Sequence, residues 1–188
     1  ILFGGDCDPS LSERTIEYIT IASTGNATDF GDTTVDKEDG PAGAASSTRG
    51  VFFGGTYVVN NVIEYITIGS TGNATDFGDM NVSCSTGGAF SSATRAVIGR
   101  IHTGTGSQSP TNTIEYITIA STGNATDFGD QIDDSAGAPG VSSSSRGVWM
   151  GGDHDGTIYN AMDYVTIAST GNATDFGDLT QSITRSGG

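Results

Sequence analysis

Seventeen residues recur four times in this chain, and that repetition limits its fold more than any other feature. Ile16–Asp32 reads IEYITIASTGNATDFGD, and Ile114–Asp130 is the same string. The copy at Ile63–Asp79 differs only at Gly69, and the copy at Met162–Asp178 only at Met162, Asp163 and Val165. Successive copies start 47, 51 and 48 residues apart. Such a period marks a repeat architecture, in which one supersecondary unit is copied and neighbours cover each other's apolar faces. It also argues against catalysis, because an enzyme site needs unlike residues to converge.

The length variation falls between the copied tracts, so the tracts are scaffold and the gaps are loops. We divide the chain into one repeat domain, 1–188, with units at 1–48, 49–94, 95–145 and 146–188. Each unit opens on an apolar strand ending in glycine: Ile1–Gly5, Val51–Gly55, Ala96–Gly99 and Val148–Gly152. Arg100 replaces the second glycine in the third copy. A variable loop follows, and then Ile16–Ala22 and its copies, whose Ile, Thr and Tyr content favours a strand. Ser23-Thr24-Gly25-Asn26 reads as a turn, since Gly and Asn tolerate positive φ. Ala27–Gly31 reads as a short third strand centred on Phe30, and Gly40–Ser47 as a weak fourth. Both faces of the second strand carry large apolar groups, which fits sheets covered on both sides. No segment holds a helical period, so the fold class is all-β.

The formal net charge is −15, from 22 acidic and 7 basic side chains. That surface repels nucleic acid and anionic lipid, so we expect neither as a partner. Twelve of the acids lie within the copied tract, so much of the charge is a consequence of copying. We read Glu17, Glu64, Glu115 and Asp163 as a solvated rim, and Asp29, Asp32 and their copies as turn-capping or solvated. We expect no signal peptide, and no apolar run in these 188 residues approaches the roughly 18 residues that span a bilayer, so no membrane insertion is expected. The start on Ile1 and the end on Ser186-Gly187-Gly188 lead us to expect a piece of a longer or processed chain. Cys7 and Cys84 are the two cysteines; one disulfide between them is open, and the spacing does not demand it.

An apolar strand with Gly-Gly, a loop, a Tyr-bearing strand, an aromatic on the third strand and a later Arg together resemble a kelch-type β-propeller unit. The period agrees with kelch repeats, although Phe30, Phe77, Phe128 and Phe176 stand where kelch units usually carry Trp. The resemblance covers the whole chain. It implies a β-propeller of four kelch-like units, closed as four blades or forming part of a larger ring. A stacked β-solenoid is the alternative architecture. The TIEYITIASTGNATDFGD and TRGVFFGG strings also resemble repeats of tail or structural appendage proteins of marine phages, cyanophages among them. That likeness implies a virion or extracellular location, with other virion or filament subunits as partners.

Function is then expected where the copies differ, in the loops after each glycine pair. These loops hold Asp6–Ser10, Thr56–Asn61, Arg100–Thr103 and Asp153–Asp155. We expect Tyr57, Arg100, His102, Asp153 and His154 to make the contacts, Tyr by stacking and the others by directional hydrogen bonds. The expected ligand is a host-surface glycan or a partner protein, and the chain is expected to be a homo-oligomer when purely structural. The two histidines come from separate loops without metal-ligand spacing, so no metal is assigned. No G-x-S-x-G elbow or phosphate-binding glycine loop with lysine is present. Ser23–Phe30 has the Ser and aromatic of a sialidase-type Asp box, but Gly25 replaces its Asp. We therefore expect no enzyme and no cofactor; a glycan-acting hydrolase is the least favoured reading, and a purely structural tail, fibre or filament subunit the closest competitor.

Overall fold

The computed structural model describes residues 2–3, 14–37, 40–55, 60–103 and 110–184. All of its regular structure is β, with no helix among those residues. Four antiparallel sheets follow one another along the chain. Sheet 1 holds β1 (Leu2–Phe3), β2 (Thr15–Tyr18) and β3 (Thr28–Asp32). Sheet 2 is a meander of β4 (Ala42–Ala45), β5 (Arg49–Phe53), β6 (Asn60–Thr67) and β7 (Thr75–Cys84). Sheet 3 contains β8 (Thr86–Ser91), β9 (Arg95–His102), the short β10 (Pro110–Thr111), β11 (Thr113–Thr118) and β12 (Thr126–Asp130). Sheet 4 begins with β13 (Gly140–Ser142) and β14 (Arg146–Met150). A separate hairpin of β15 (Asp153–His154) and β16 (Thr157–Ile158) interrupts it before β17 (Ala161–Thr166) and β18 (Thr174–Asp178) complete it.

The sheets are phased one strand earlier than the sequence units. The weak strand expected at Gly40–Ser47 is β4, and it pairs with the following glycine-pair strand, Ala42 opposite Phe53 and Ala45 opposite Gly50. A serine builds the hairpin between them. Ser46 Oγ accepts from the Thr48 and Arg49 amides at 3.2 and 3.1 Å, and its own amide donates to the Arg49 carbonyl at 2.9 Å. Ser92 and Ser143 repeat this before Arg95 and Arg146. The motif Ser-x-Ser/Thr-Arg is thus a side-chain-capped turn.

The turn inside the copied tract also sits earlier than expected. It closes at Thr20–Ser23, with the Ser23 amide on the Thr20 carbonyl at 3.1 Å, and the same bond recurs at Ser70, Ser121 and Ser169. This frees the Thr-Gly-Asn-Ala stretch to lie against the preceding sheet. The Gly72 amide donates to Phe30 O at 2.7 Å and the Ala74 amide to Asp32 O at 2.8 Å. Gly123 and Ala125 do the same to Phe77 and Asp79, and Gly171 and Ala173 to Phe128 and Asp130, all at 2.8 Å. The asparagine completes each joint: the Oδ1 atoms of Asn73, Asn124 and Asn172 accept from the amides of Asp32, Asp79 and Asp130, each at 3.1 Å.

The phenylalanine of each joint sits on a β-bulge. Ile16 pairs with Gly31 and Glu17 with Asp29, which leaves Phe30 as the extra residue; the other copies carry the same shift. A bulge re-aims a side chain, and here it turns the ring toward the next sheet. Phe30 packs with Ile66 and Ala74, Phe77 with Ile117, Ile119 and Ala125, and Phe128 with Val165 and Ile167. Three hydrophobic clusters therefore sit between successive sheets, and burying each ring contributes about 1.5–3 kcal/mol. Within each sheet the ring also meets a tyrosine edge-on, Tyr18, Tyr65, Tyr116 or Tyr164, with centroids 5.8–6.1 Å apart.

Two series of polar contacts reinforce the joints. Arg49 lies over Tyr65 at 4.4 Å and donates to Ile119 O in sheet 3 at 2.9 Å. Arg95 lies over Tyr116 at 4.2 Å and donates to Ile167 O in sheet 4 at 2.9 Å. Between β4, β8 and β13, Ser91 Oγ donates to Ala45 O at 2.7 Å and Ser142 Oγ to Ser91 O at 3.0 Å. No hydrogen bond or strand pairing returns from sheet 4 to sheet 1 among the described residues.

Two measurements check this packing. A Cβ on Gly129, at φ +144°, would stand 2.6 Å from the Gly171 backbone, whereas one on Gly177, at φ +123°, meets nothing within 4 Å. Both substitutions to Ala strain the backbone, but Gly129→Ala also breaks a joint, and its loss of unfolding free energy in urea is expected to be larger by about 1–3 kcal/mol. Equal losses would mean that the close approach does not matter. Cys84 is buried, and that burial pushes its thiol from about 9 to about 12. The folded state thus holds the proton more tightly, and this group's contribution is complete below about pH 9 and lost as the pH rises toward 12. In a Cys7→Ser background, Cys84 is expected to resist a thiol reagent at pH 8.5 until urea unfolds the chain; labelling of native protein at the rate of a free thiol would contradict its placement.

Candidate recognition surface

The first acid of each copied tract is not the solvated rim that composition suggested. Glu64, Glu115 and Asp163 are buried, and Glu17 alone of the four is exposed. Each buried carboxylate reaches into the segment that follows the preceding sheet. Glu64 accepts from the Thr34 amide at 2.5 Å, and Glu115 from the Asn81 and Val82 amides at 3.0 and 3.1 Å. The Ile132 amide lies near enough to Asp163 to favour its ionised form. Thr34, Asn81 and Ile132 each lie two residues beyond the last aspartate of a copied tract, so this contact has been copied too.

What neutralises the acid differs from joint to joint. Lys37, the one lysine in the chain, is buried with Glu64 at 2.9 Å and donates to Gly54 O at 2.7 Å. Glu115 has two backbone donors; burial pushes its carboxyl above the usual range, against the opposing effect of those hydrogen bonds. Asp163 pairs with Arg100 at 2.5 Å, yet burial still pushes it upward. Arg100 also pairs with Asp133. Burial opposes ionisation of Asp133 as well, but hydrogen bonds from Ser135 together with Arg100 outweigh it and hold that carboxyl low.

Of the expected contact residues, Arg100 is therefore placed differently. It occupies the position of the second glycine, keeps a left-handed φ of 52°, and is fully buried. Its amide donates to Gln131 Oε1 at 2.8 Å, and its carbonyl accepts from Gly137 at 3.2 Å. These bonds and the ion pairs hold a conformation that is costly for a residue with a Cβ. Arg100 serves the joint, because a buried acid needs a cation more than a surface needs another charge.

Asp153 and His154 form β15, folded back on β16 through Asp155 at φ 49° and Gly156 at φ 77°. Two successive positive-φ residues make the tight turn that suits a right-twisted hairpin, and Asp-Gly is its favoured sequence. The hairpin is tied down through Asp153, whose backbone bridges to Ala136 and whose carboxylate accepts from Thr184 Oγ1 at 2.7 Å. His154 Nδ1 lies 2.9 Å from Asp134 and its Nε2 3.5 Å from Asp155, all at the surface. Ile158 is exposed on β16, opposite Asp153. Asp134 also lines a shallow depression of about 420 Å³, formed with Asp133, Ile132, Asn112, Thr111 and Pro110. The segment around Asp133–Ala136 thus gathers Arg100 below the surface and Asp153 and His154 upon it.

His102 sits apart from this group in its contacts, with Nδ1 3.3 Å from Ser85 Oγ. Tyr57 and Cys7 lie outside the described residues. Among those residues, no three His, Cys, Asp or Glu side chains are grouped so as to hold a metal ion. Asp134 and Ile158 escaped the sequence reading. The Asp155-Gly156 pair between β-prone residues was the signal that could have revealed the hairpin carrying Ile158. No protein-family model matches this sequence, and no curated protein matches it.

The role of Arg100 has a direct check. Arg100→Met leaves Asp163 buried without its cation, and the expected cost is about 3–5 kcal/mol in unfolding free energy. Adding Asp163→Asn should recover part of that loss in a double-mutant cycle. Additive losses would show that the two side chains are not coupled.

Proposed function

We propose that the chain is a non-enzymatic display module, acting on a virion or outside a cell, that presents variable segments on a copied scaffold. Its four sheets are read as kelch-like blades of a propeller-type ring that is not closed by these four alone. The convergence of β4, β8 and β13 through Ser91 and Ser142 supports that reading, because the first strands of propeller blades meet at the axis. The ligand is a host-surface glycan or a partner protein. One observation carries the proposal. The glycines, asparagine and phenylalanine of the copied tract are taken up by the joints, whereas the uncopied Asp134 and His154 pair at the surface, and Asp134 also lines a shallow depression. Paired carboxylate and imidazole groups suit the hydroxyls of a sugar ring or the polar groups of a peptide. A purely structural subunit of a tail, fibre or extracellular filament is the second reading, favoured by the exposed end faces of the array.

The test is binding of the 188-residue chain to a glycan array and to intact host cells, with and without the substitutions His154→Ala and Asp134→Ala. Both side chains are at the surface, so the melting temperature should hold while binding weakens by about tenfold or more, equivalent to about 1.4 kcal/mol. Binding unchanged by both substitutions would remove this surface from consideration. Glycan turnover that depends on Asp134 or Asp153 would replace the display reading with a hydrolase.

A further inference from the structure

The two ends of the four-sheet array are the unmated halves of one joint. At the sheet 4 end, Phe176 is 49% exposed, whereas Phe30, Phe77 and Phe128 are 5% exposed or less. Gly177 has open space where Gly31, Gly78 and Gly129 each meet another glycine's backbone. Arg146 lies over Tyr164 at 4.3 Å like its counterparts, but among the described residues its guanidinium meets no carbonyl acceptor of the kind that Arg49 and Arg95 find in the next sheet. At the sheet 1 end, Ile19 is 47% and Ile21 95% exposed, whereas their copies at the mated faces are less exposed, Ile66 and Ile68 at 2% and 38% and Ile117 and Ile119 at 3% and 1%. Glu17 and Asn26 are exposed as well.

We propose that these two faces mate head to tail between two copies of this chain, through the joint that already occurs three times within it. Each half is supplied by the same copied string, so the register is specified. Gly25 N–H would meet Phe176 O, Ala27 N–H would meet Asp178 O, and Asn26 Oδ1 would accept from the Asp178 amide. Arg146 would donate to the Ile21 carbonyl, and Phe176 would enter between Ile19, Ile21 and Ala27. Glu17 would reach the Thr180 amide, two residues beyond Asp178. Such an interface is heterologous, so it propagates into a filament or closes into a ring according to the rotation per step. The inference rests on the structural reading alone; recognition by the His154 surface can fail without affecting it.

The net charge of −15 opposes meeting of copies at low ionic strength, so association should strengthen as salt is added. The test uses the 188-residue chain and two end-specific variants. Ile21→Asp blocks the sheet 1 face and Phe176→Asp blocks the sheet 4 face. Both positions are at least half exposed or nearly so, and circular dichroism melts verify that each variant folds. If Phe176→Asp lowers the melting temperature, Arg146→Glu takes its place. In analytical ultracentrifugation the wild type is expected to grow beyond 19.1 kDa with concentration, and each variant alone to remain at 19.1 kDa. An equimolar mixture of the two variants should give a single species of twice that mass, because each retains the face that the other lacks. A wild type that stays monomeric overturns the proposal, whether its ends are idle or close on themselves. Self-association of Phe176→Asp alone overturns it too, since that would require two sheet 1 faces to meet.

Discussion

The close approach of glycine to glycine is the contact on which this structure depends. Gly31 meets Gly72, Gly78 meets Gly123 and Gly129 meets Gly171, at separations that leave no room for a side chain. Only at that spacing can the Phe and Asp carbonyls of one sheet receive amides from the next. The asparagine that follows each second glycine then reaches the remaining Asp amide. Backbone groups that a sheet edge would leave open are thereby satisfied by the neighbouring copy. The bulge places a phenylalanine ring beside the same seam, so polar closure and apolar burial are both achieved within the eight residues from Gly25 to Asp32 and their copies. This is why the tract tolerates so little variation: it carries both halves of the contact.

The buried acid imposes a second requirement that repetition alone does not meet. A carboxylate withdrawn from water needs donors or a cation. Each joint supplies two or more, but from different places: Lys37 from a segment after sheet 1, backbone amides after sheet 2, and Arg100 from the strand end of sheet 3. In the last case, a glycine position was given to arginine and its positive φ was kept. The break in the Gly-Gly pattern is thus the cost of neutralising Asp163. The same arginine holds Asp133, adjacent to the Asp134 that contacts His154. The joint between sheets 3 and 4 therefore stiffens the surface proposed for recognition.

Much of this fold was legible in the letters. The strands around Tyr18 and Phe30, the hairpin strand in a weakly apolar Gly/Ala/Ser stretch and the absence of helix all followed from composition and period. The solvated rim did not survive, because charge counting cannot tell an acid on a surface from one aimed at a neighbour's amides. Glu17 and Glu115 have identical flanking sequence, yet one is exposed and the other buried, and only position in the array separates them. The Gly-Asn pair misled for a related reason. It is a turn signal in isolation, but its backbone freedom serves an approach to another sheet. The site was half legible: the uncopied loops pointed to Asp153 and His154, while Asp134 lies in a segment whose relation to them exists only after folding.

The identity of the joints has a consequence for how such a chain changes over generations. Any copy of the tract can follow any other without altering the backbone seam, so unequal exchange between copies would remove or add a whole sheet and leave the glycine approach and its amide-to-carbonyl bonds intact, changing only what meets the buried acid. Glu115, held by amides without a cation, shows that a newly created neighbour need not arrive with its own lysine or arginine. Array length and the combination of loops carried on it are therefore the properties this sequence can alter most cheaply, while the seam itself is the one it can hardly alter at all.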